Sequence, residues 1–165
     1  MFDETMLLAA RRLLELCRAQ GLRVATAESC TGGLVAGALT EIAGSSDVVE
    51  RGFITYSNAA KTEMLGVPKE LISGKGAVSE EVARAMAEGA LARSAAELSV
   101  AITGVAGPGG GSAEKPVGLV HFASATKGEA TRHEARKFGD LGRGEIRRLS
   151  VLFALSMLEK AATRP

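Results

Sequence analysis

Aromatic side chains are scarce in this chain: no Trp, one Tyr and five Phe in 165 residues. Proteins that stack bases on aromatic platforms need more of them, which argues against a single-stranded nucleic-acid binder. Excess charge is missing as well. Twenty Lys and Arg against nineteen Asp and Glu leave a formal net charge of +1, too little to recruit DNA, RNA or an anionic membrane. Only two cysteines occur, Cys17 and Cys30, too few for a disulfide framework, and a cytoplasmic, reducing compartment follows. His121 and His133 lie far from both cysteines, which argues against a zinc site. No apolar run approaches the length of a membrane span. The opening Met1-Phe2-Asp3-Glu4 lacks the basic segment of a secretory signal.

What remains is ordinary globular patterning, of a length that one domain over residues 1–165 can fill. Apolar positions at helical spacing predict a first helix from Thr5 to Gln20, with Met6, Leu13, Leu14 and Cys17 inward and Gly21 as its stop. A short strand over Leu22–Ala27 leads into a helix after Gly32. Gly44-Ser45-Ser46 ends that helix, and Phe53–Tyr56 reads as a second strand. Ser57-Asn58 offers an N-cap to a short helix that ends at Gly66-Val67-Pro68. Ser79, followed by two glutamates, starts another helix whose apolar face includes Val82, Met86 and Gly89-Ala90. Leu98–Thr103 is an apolar strand. Val117–Ala125 and Thr131–Phe138 form a hairpin turning at Lys127-Gly128, its second strand polar enough for a sheet edge. A last helix spans Gly144–Lys160, with Ile146, Leu149, Phe153 and Met157 inward. The alternation predicts an α/β fold, a three-layer α/β/α sandwich around a mixed sheet of about five strands.

The chemistry concentrates at three places. Thr26-Ala27-Glu28-Ser29-Cys30-Thr31-Gly32-Gly33 puts a hydroxyl and a thiol on a strand-to-helix turn, where a helix N-terminus favours a developing anion. Taken alone, Ser29 reads as a helix N-cap. The glycines that permit close backbone approach, the neighbouring Glu28 carboxylate and the position at a strand's carboxyl end add the reading of a nucleophile. Cys30 is a rival, but nothing around it lowers a thiol pKa, and the G-x-S-x-G elbow is absent. Tyr56 and Lys61 stand second. A lysine in a helix's first turn is electrostatically misplaced, and with burial it becomes neutral and able to take a proton from serine. The plain alternative is a solvated Lys61 and a core Tyr56. Third, the loop Thr103 to Ser112 carries five glycines and presents backbone N–H groups, without matching a nucleotide-binding motif. Arg143, Arg147 and Arg148 open the last helix, where they either capture a phosphate or form a solvated face. Asp140 is placed to cap or orient that segment. His121 and His133 read as structural.

Read together, Ala27–Gly33, Arg51–Lys61 (RGFITYSNAAK), Gly76-Ala77-Val78-Ser79, Thr103–Gly110 (TGVAGPGG) and Lys115-Pro116-Val117-Gly118 resemble the CinA C-terminal domain, the competence/damage-inducible family. The resemblance runs in order through nearly the whole chain. It implies an α/β/α fold and nicotinamide-nucleotide amidohydrolase activity, converting nicotinamide mononucleotide and water to nicotinate mononucleotide and ammonia. It places a Ser-Tyr-Lys site on Ser29, Tyr56 and Lys61. Activities of the nucleotide-processing domain that precedes this one in longer members do not carry over. Where many members have a compact Gly-Asp-Arg, this chain reads Gly139-Asp140-Leu141-Gly142-Arg143.

The expected mechanism is acyl transfer by Ser29 with Lys61 as base, Tyr56 relaying or orienting the proton, and backbone N–H groups around Cys30 to Gly32 as oxyanion donors. The substrate, a small nucleotide, would be bound by Glu28, Cys30, Thr31, Gly32, Gly33 and Asn58, by the wall Thr103, Gly104, Val105, Ala106 and Gly107, and by Arg143 on its phosphate. No cofactor or metal is called for. A non-catalytic nucleotide-binding module and an amidase for another small amide are the alternatives. Small-residue helix faces suggest a homodimer.

Overall fold

The computed structural model describes residues 1–163, and among them run six α-helices and five strands. Helix α1 (Glu4–Gln20) is capped by the Asp3 carboxylate, which accepts from Met6 N at 2.8 Å. It buries Met6, Ala10, Leu13, Leu14 and Cys17, the stripe its spacing predicts. Strand β1 (Val24–Glu28) is buried along its whole length. Helix α2 (Leu34–Thr40) follows, then a 3-10 turn at Ser45–Asp47 and strand β2 (Val49–Ile54). Strand β2 begins four residues before the predicted Phe53 and stops two before Tyr56. It is an edge strand whose polar first half hides the period-2 signal. Helix α3 (Asn58–Leu65) takes the Ser57 hydroxyl as N-cap, and α4 (Lys69–Lys75) was not predicted. A seven-residue amphipathic segment with a single buried residue, Ile72, leaves too few apolar positions to read. Helix α5 (Glu80–Ala92), strand β3 (Leu98–Gly104), the hairpin β4 (Leu119–Thr126) and β5 (Arg132–Lys137), and helix α6 (Arg143–Ala162) complete the chain. Leu149 and Phe153, expected inward on α6, are only half-buried, while Ser150, Val151, Ala154 and Leu155 are buried.

The sheet has the order β2-β1-β3-β4-β5, with β2, β1 and β3 parallel and β4 and β5 antiparallel to their neighbours. Helices α1, α2 and α6 cover one face through Leu13, Leu39, Leu155 and Leu158, packed on Val24, Val100, Ile102 and Phe122. Helices α3, α4 and α5 cover the other, where Leu65, Met86 and Ala90 meet the small residues Ala27, Ala101 and Ala123. This is the expected three-layer sandwich. The polar β5 is an edge, as its composition indicates.

Helix α5 lies close to α3 because Gly89 has no side chain. A Cβ at that position would sit 2.1 Å from Leu65 O, a backbone atom that no rotamer change can move. Gly89→Ala is therefore expected to destabilise the protein by about 2–3 kcal/mol, read as a lower denaturation midpoint at unchanged m-value.

The first connection, β1 to β2, runs along one face and the next, β2 to β3, returns along the other, so the chain reverses direction across the sheet between β1 and β3. In open α/β sheets this opens a crevice at the carboxyl ends of the strands. Here Ser29, Thr55 and Gly104 leave the ends of β1, β2 and β3 side by side.

Candidate active site

The turn after β1 is held between its neighbours. Ser29 N–H donates to Ile102 O at 2.9 Å, and Thr55 N–H donates to Glu28 O at 2.9 Å. These bonds set Ser29 beside the start of α3, and Lys61 enters from that helix. Lys61 is 1% exposed, and its Nζ donates to Thr55 O at 2.8 Å and to Ser29 Oγ at 3.0 Å. Burial draws its pKa below the usual 10.5, while Cys30 acts the other way. A neutral amine has two N–H donors and one lone pair. With one N–H on the Thr55 carbonyl, the lone pair can face the Ser29 hydroxyl. The Cys30 thiol is buried, and burial pushes its pKa up to about 11, which leaves the oxygen of Ser29 as the stronger candidate nucleophile at neutral pH.

Around this pair lies a cavity of about 280 Å³, near the lower end for small-molecule sites. Ser29, Cys30, Tyr56, Asn58 and Lys61 line one side, and Thr103, Gly104, Val105, Ala106, Gly107 and Arg143 the other. Ala77, Val78, Gly109 and Gly110 also line it. Ala77 and Val78 were not expected there, having no polar side chain to announce them; Thr103 Oγ1 donates to Ala77 O at 2.8 Å and ties that segment to β3. The N–H groups of Ala106, Gly107, Gly109 and Gly110 donate to no backbone acceptor among the described residues. Arg143 is the first residue of α6, and the longer Gly139–Arg143 spacing still delivers it to the cavity. Its guanidinium donates to Gly107 O at 2.9 Å and Tyr56 Oη at 2.7 Å, both neutral partners. Tyr56 is 59% exposed, so the plain expectation for this pair is inverted: the lysine is core and the tyrosine is rim. Among the described residues Lys61 and Arg143 are the ionisable basic residues on the lining and no carboxylate joins them, a cavity suited to an anion.

Four expected binding residues lie elsewhere. Glu28 is fully buried, and its two carboxylate oxygens accept from Val35 N at 2.9 Å and Ala36 N at 3.0 Å. It caps α2, and the helix-terminus field expected at Ser29 is thereby directed at Glu28. Thr31, Gly32 and Gly33 do not line the cavity. The open sides of the glycines face protein: a Cβ would meet Arg147 Nη2 at 3.3 Å on Gly32 and Ile54 Cδ1 at 2.9 Å on Gly33. Gly32 N–H is committed to Ser29 O at 3.0 Å, so the turn amide left to serve an oxyanion in the cavity is that of Cys30, which donates to no backbone acceptor among the described residues.

The remaining candidates divide. Arg148 pairs with Asp3 and with Glu145 at 3.2 Å, away from the cavity. Arg147 bonds two carbonyls of the Ser29 turn. Asp140 is exposed, and no side chain caps α6, whose N-cap is Gly142. His121 and His133 form a hydrogen-bonded pair at 2.9 Å, with His133 Nδ1 also 3.6 Å from Glu80. A hairpin turning at Lys127 brings these two strands together, so their proximity was legible. Burial lowers both pKa values, which favours neutral imidazoles. Among the described residues no three His, Cys, Asp or Glu side chains are grouped to hold a metal, and no helix is long and apolar enough to cross a membrane.

This geometry has counterparts. A solved structure of competence/damage inducible protein CihA from Agrobacterium tumefaciens superposes with a TM-score of 0.96 at 55% identity, over 99% of both chains. A CinA-like protein of Akkermansia muciniphila is 58% identical over 115 residues, 70% of this chain and 28% of its own length. The chain thus spans less than a third of that longer relative. The nicotinamide-nucleotide amidohydrolase PncC of Escherichia coli is 48% identical over 159 residues, 96% of this chain and 95% of that protein. The family model of the CinA C-terminal domain matches residues 8–162, from within α1 to the end of α6. Fold and sequence thus agree along nearly the whole chain, and the chain belongs to the CinA C-terminal domain family.

Proposed function

We propose that this chain is a nicotinamide-nucleotide amidase, hydrolysing the carboxamide of nicotinamide mononucleotide to nicotinate mononucleotide and ammonia. The observation that carries the reading is the buried Lys61 amine 3.0 Å from Ser29 Oγ, in a cavity whose lining, among the described residues, adds the Arg143 guanidinium and no carboxylate. Serine beside a buried amine is an acyl-transfer pair. Arg143 and the free loop amides suit the phosphate of a mononucleotide. The likeness, over 96% of this chain, to a protein named for this activity supports this choice of substrate.

In this mechanism Ser29 Oγ attacks the carboxamide carbon and its proton passes to Lys61 Nζ. The carbonyl oxygen becomes an oxyanion facing the N–H group of Cys30, a donor of a kind that contributes about 3 kcal/mol. Lys61 returns the proton to the leaving nitrogen, the C–N bond breaks and ammonia departs. Water then attacks the acyl-Ser29 ester, giving its proton to Lys61, which hands it to Ser29 Oγ as the carboxylate leaves. Residues Thr103 to Gly107 wall the ring, and Arg143 exchanges Gly107 O and Tyr56 Oη for phosphate oxygens. Tyr56 orients that end of the nucleotide; a proton relay through it requires release from Arg143. Every group in this scheme comes from one chain, so a homodimer is not needed for turnover. The cytosol, where such nucleotides and reduced thiols coexist, is the matching compartment.

The test is ammonia release from nicotinamide mononucleotide by purified protein, with nicotinate mononucleotide measured in parallel. Equal amounts of both are expected. Tight nucleotide binding without ammonia would replace this reading by a binding module, and faster release from an unrelated small amide would replace the substrate.

A further inference from the structure

The turn that carries Ser29 contains three peptide units, and each is held by its carbonyl. Ser29 O accepts from Gly32 N at 3.0 Å. Thr31 O accepts from Leu34 N at 3.0 Å and from Arg147 Nη2 at 3.2 Å. Cys30 O accepts from Arg147 Nε at 3.0 Å, its one partner among the described residues. A peptide is planar and trans, so its C=O and the following N–H point in opposite directions. Holding Cys30 O toward α6 therefore turns Thr31 N–H away from α6 and keeps it there. Among the described residues the Cys30–Thr31 peptide is the one unit of the turn with no backbone bond to hold its carbonyl, so Arg147 alone fixes that peptide plane and the Cys30 backbone that leads into it.

We propose that Arg147 is a positioning residue that fixes the Ser29–Thr31 turn, and with it the Ser29 Oγ and the Cys30 N–H at the cavity. This rests on the reading of Ser29 as the nucleophile. Arg147 is absent from the cavity lining, so it acts through the turn and not on the substrate. Gly32 makes the seat: a Cβ there would come 3.3 Å from Arg147 Nη2. The planar guanidinium spans two successive carbonyls in one fork, a geometry that an ammonium cannot reproduce. Arg147 lies one helical turn beyond Arg143 on α6, so a single helix supplies both the cation on the cavity and the clamp on the turn.

The experiment compares wild type with Arg147→Met and Arg147→Lys in two assays. One is steady-state hydrolysis of nicotinamide mononucleotide. The other is the rate at which a small fluorophosphonate labels Ser29, a reaction that forms the Oγ–P bond, passes the Oγ proton to Lys61, expels fluoride and builds up charge on the phosphoryl oxygen against the Cys30 amide. For Arg147→Met the expected result is a kcat about 100-fold lower, a KM within about twofold, and labelling slowed in proportion. Arg147→Lys, with one of the two bonds restored, should recover about tenfold of the loss. Unchanged kcat and labelling would overturn the proposal, as would a raised KM at unchanged kcat, which would make Arg147 a substrate ligand. If wild type does not turn over the nucleotide, the amidase reading fails and the labelling ratio alone decides: slower labelling of the variant supports the clamp, and equal rates or an unlabelled wild-type Ser29 overturn it. Circular dichroism and thermal unfolding identify a misfolded Met variant, in which case the Lys variant carries the comparison.

Discussion

Ser29→Ala is expected to lower kcat for ammonia release by about 10⁴- to 10⁶-fold while the protein still binds the nucleotide. The hydroxyl is half-buried and receives the Lys61 amine at 3.0 Å, so its removal deletes the atom that attacks and leaves the cavity otherwise intact. Arg143, the loop amides and Asn58 remain in place. Calorimetric titration with nicotinamide mononucleotide should therefore give a Kd within a few-fold of the wild-type KM. Acyl-enzyme, detectable by mass spectrometry after acid quench of wild type, should be missing from the variant. A Ser29→Ala protein with turnover near wild type would remove Ser29 from the nucleophile's place and leave Cys30 or a directly activated water.

Lys61→Met carries the second large effect. Loss of a positioned base is worth about 10²- to 10⁴-fold in kcat, and methionine fills nearly the same volume. The pH dependence separates this from a packing defect. Wild-type kcat/KM should rise with pH through a limb set by Lys61, at a pKa below 10.5, and the variant should lose that limb. Stability responds to the same group. Because burial lowers the Lys61 pKa in the folded protein, the unfolded chain binds more protons between that lowered value and 10.5. The stability of wild type relative to Lys61→Met should therefore increase with pH across that window. Below the window the fold bears the full penalty of a buried ammonium. The difference is read from denaturant midpoints of both proteins at successive pH values, a comparison in which the opposite contribution of the buried Cys17 and Cys30 thiols is common to the two. A variant that keeps the wild-type pH–rate profile would take the base role away from Lys61.

Much of this site was legible because short-range rules govern it. Ser29 and Lys61 each lie next to an element boundary that its own neighbours announce, a strand end in one case and the Ser57 N-cap in the other. The loop Thr103–Gly107 follows directly from an apolar strand. Glu28, Gly32 and Gly33 were legible as unusual but not as to purpose. A carboxylate next to a nucleophile and a pair of glycines have the same appearance whether they meet a ligand or the protein. Which of these holds depends on what α2, β2 and α6 place opposite them. Arg147 shows the same division. Three arginines in six residues signal an anion site equally at each position, and the helix directs one to the cavity, one to the turn and one to Asp3.

By itself, then, the amino-acid sequence determined the layered α/β architecture, the order of its principal elements and the segments that carry the chemistry. Those follow from periodicity, caps and turn residues within a few positions of one another. Tertiary structure alone decided that Lys61 is buried against Ser29 while Tyr56 faces solvent, that Glu28 serves helix α2, and that Arg147 holds the turn from a distance of more than a hundred residues. Burial and long-range hydrogen bonding arise only when the sheet brings three strand ends together. The protonation of a lysine, and the direction of a peptide, are set by neighbours that are close in space and remote along the chain.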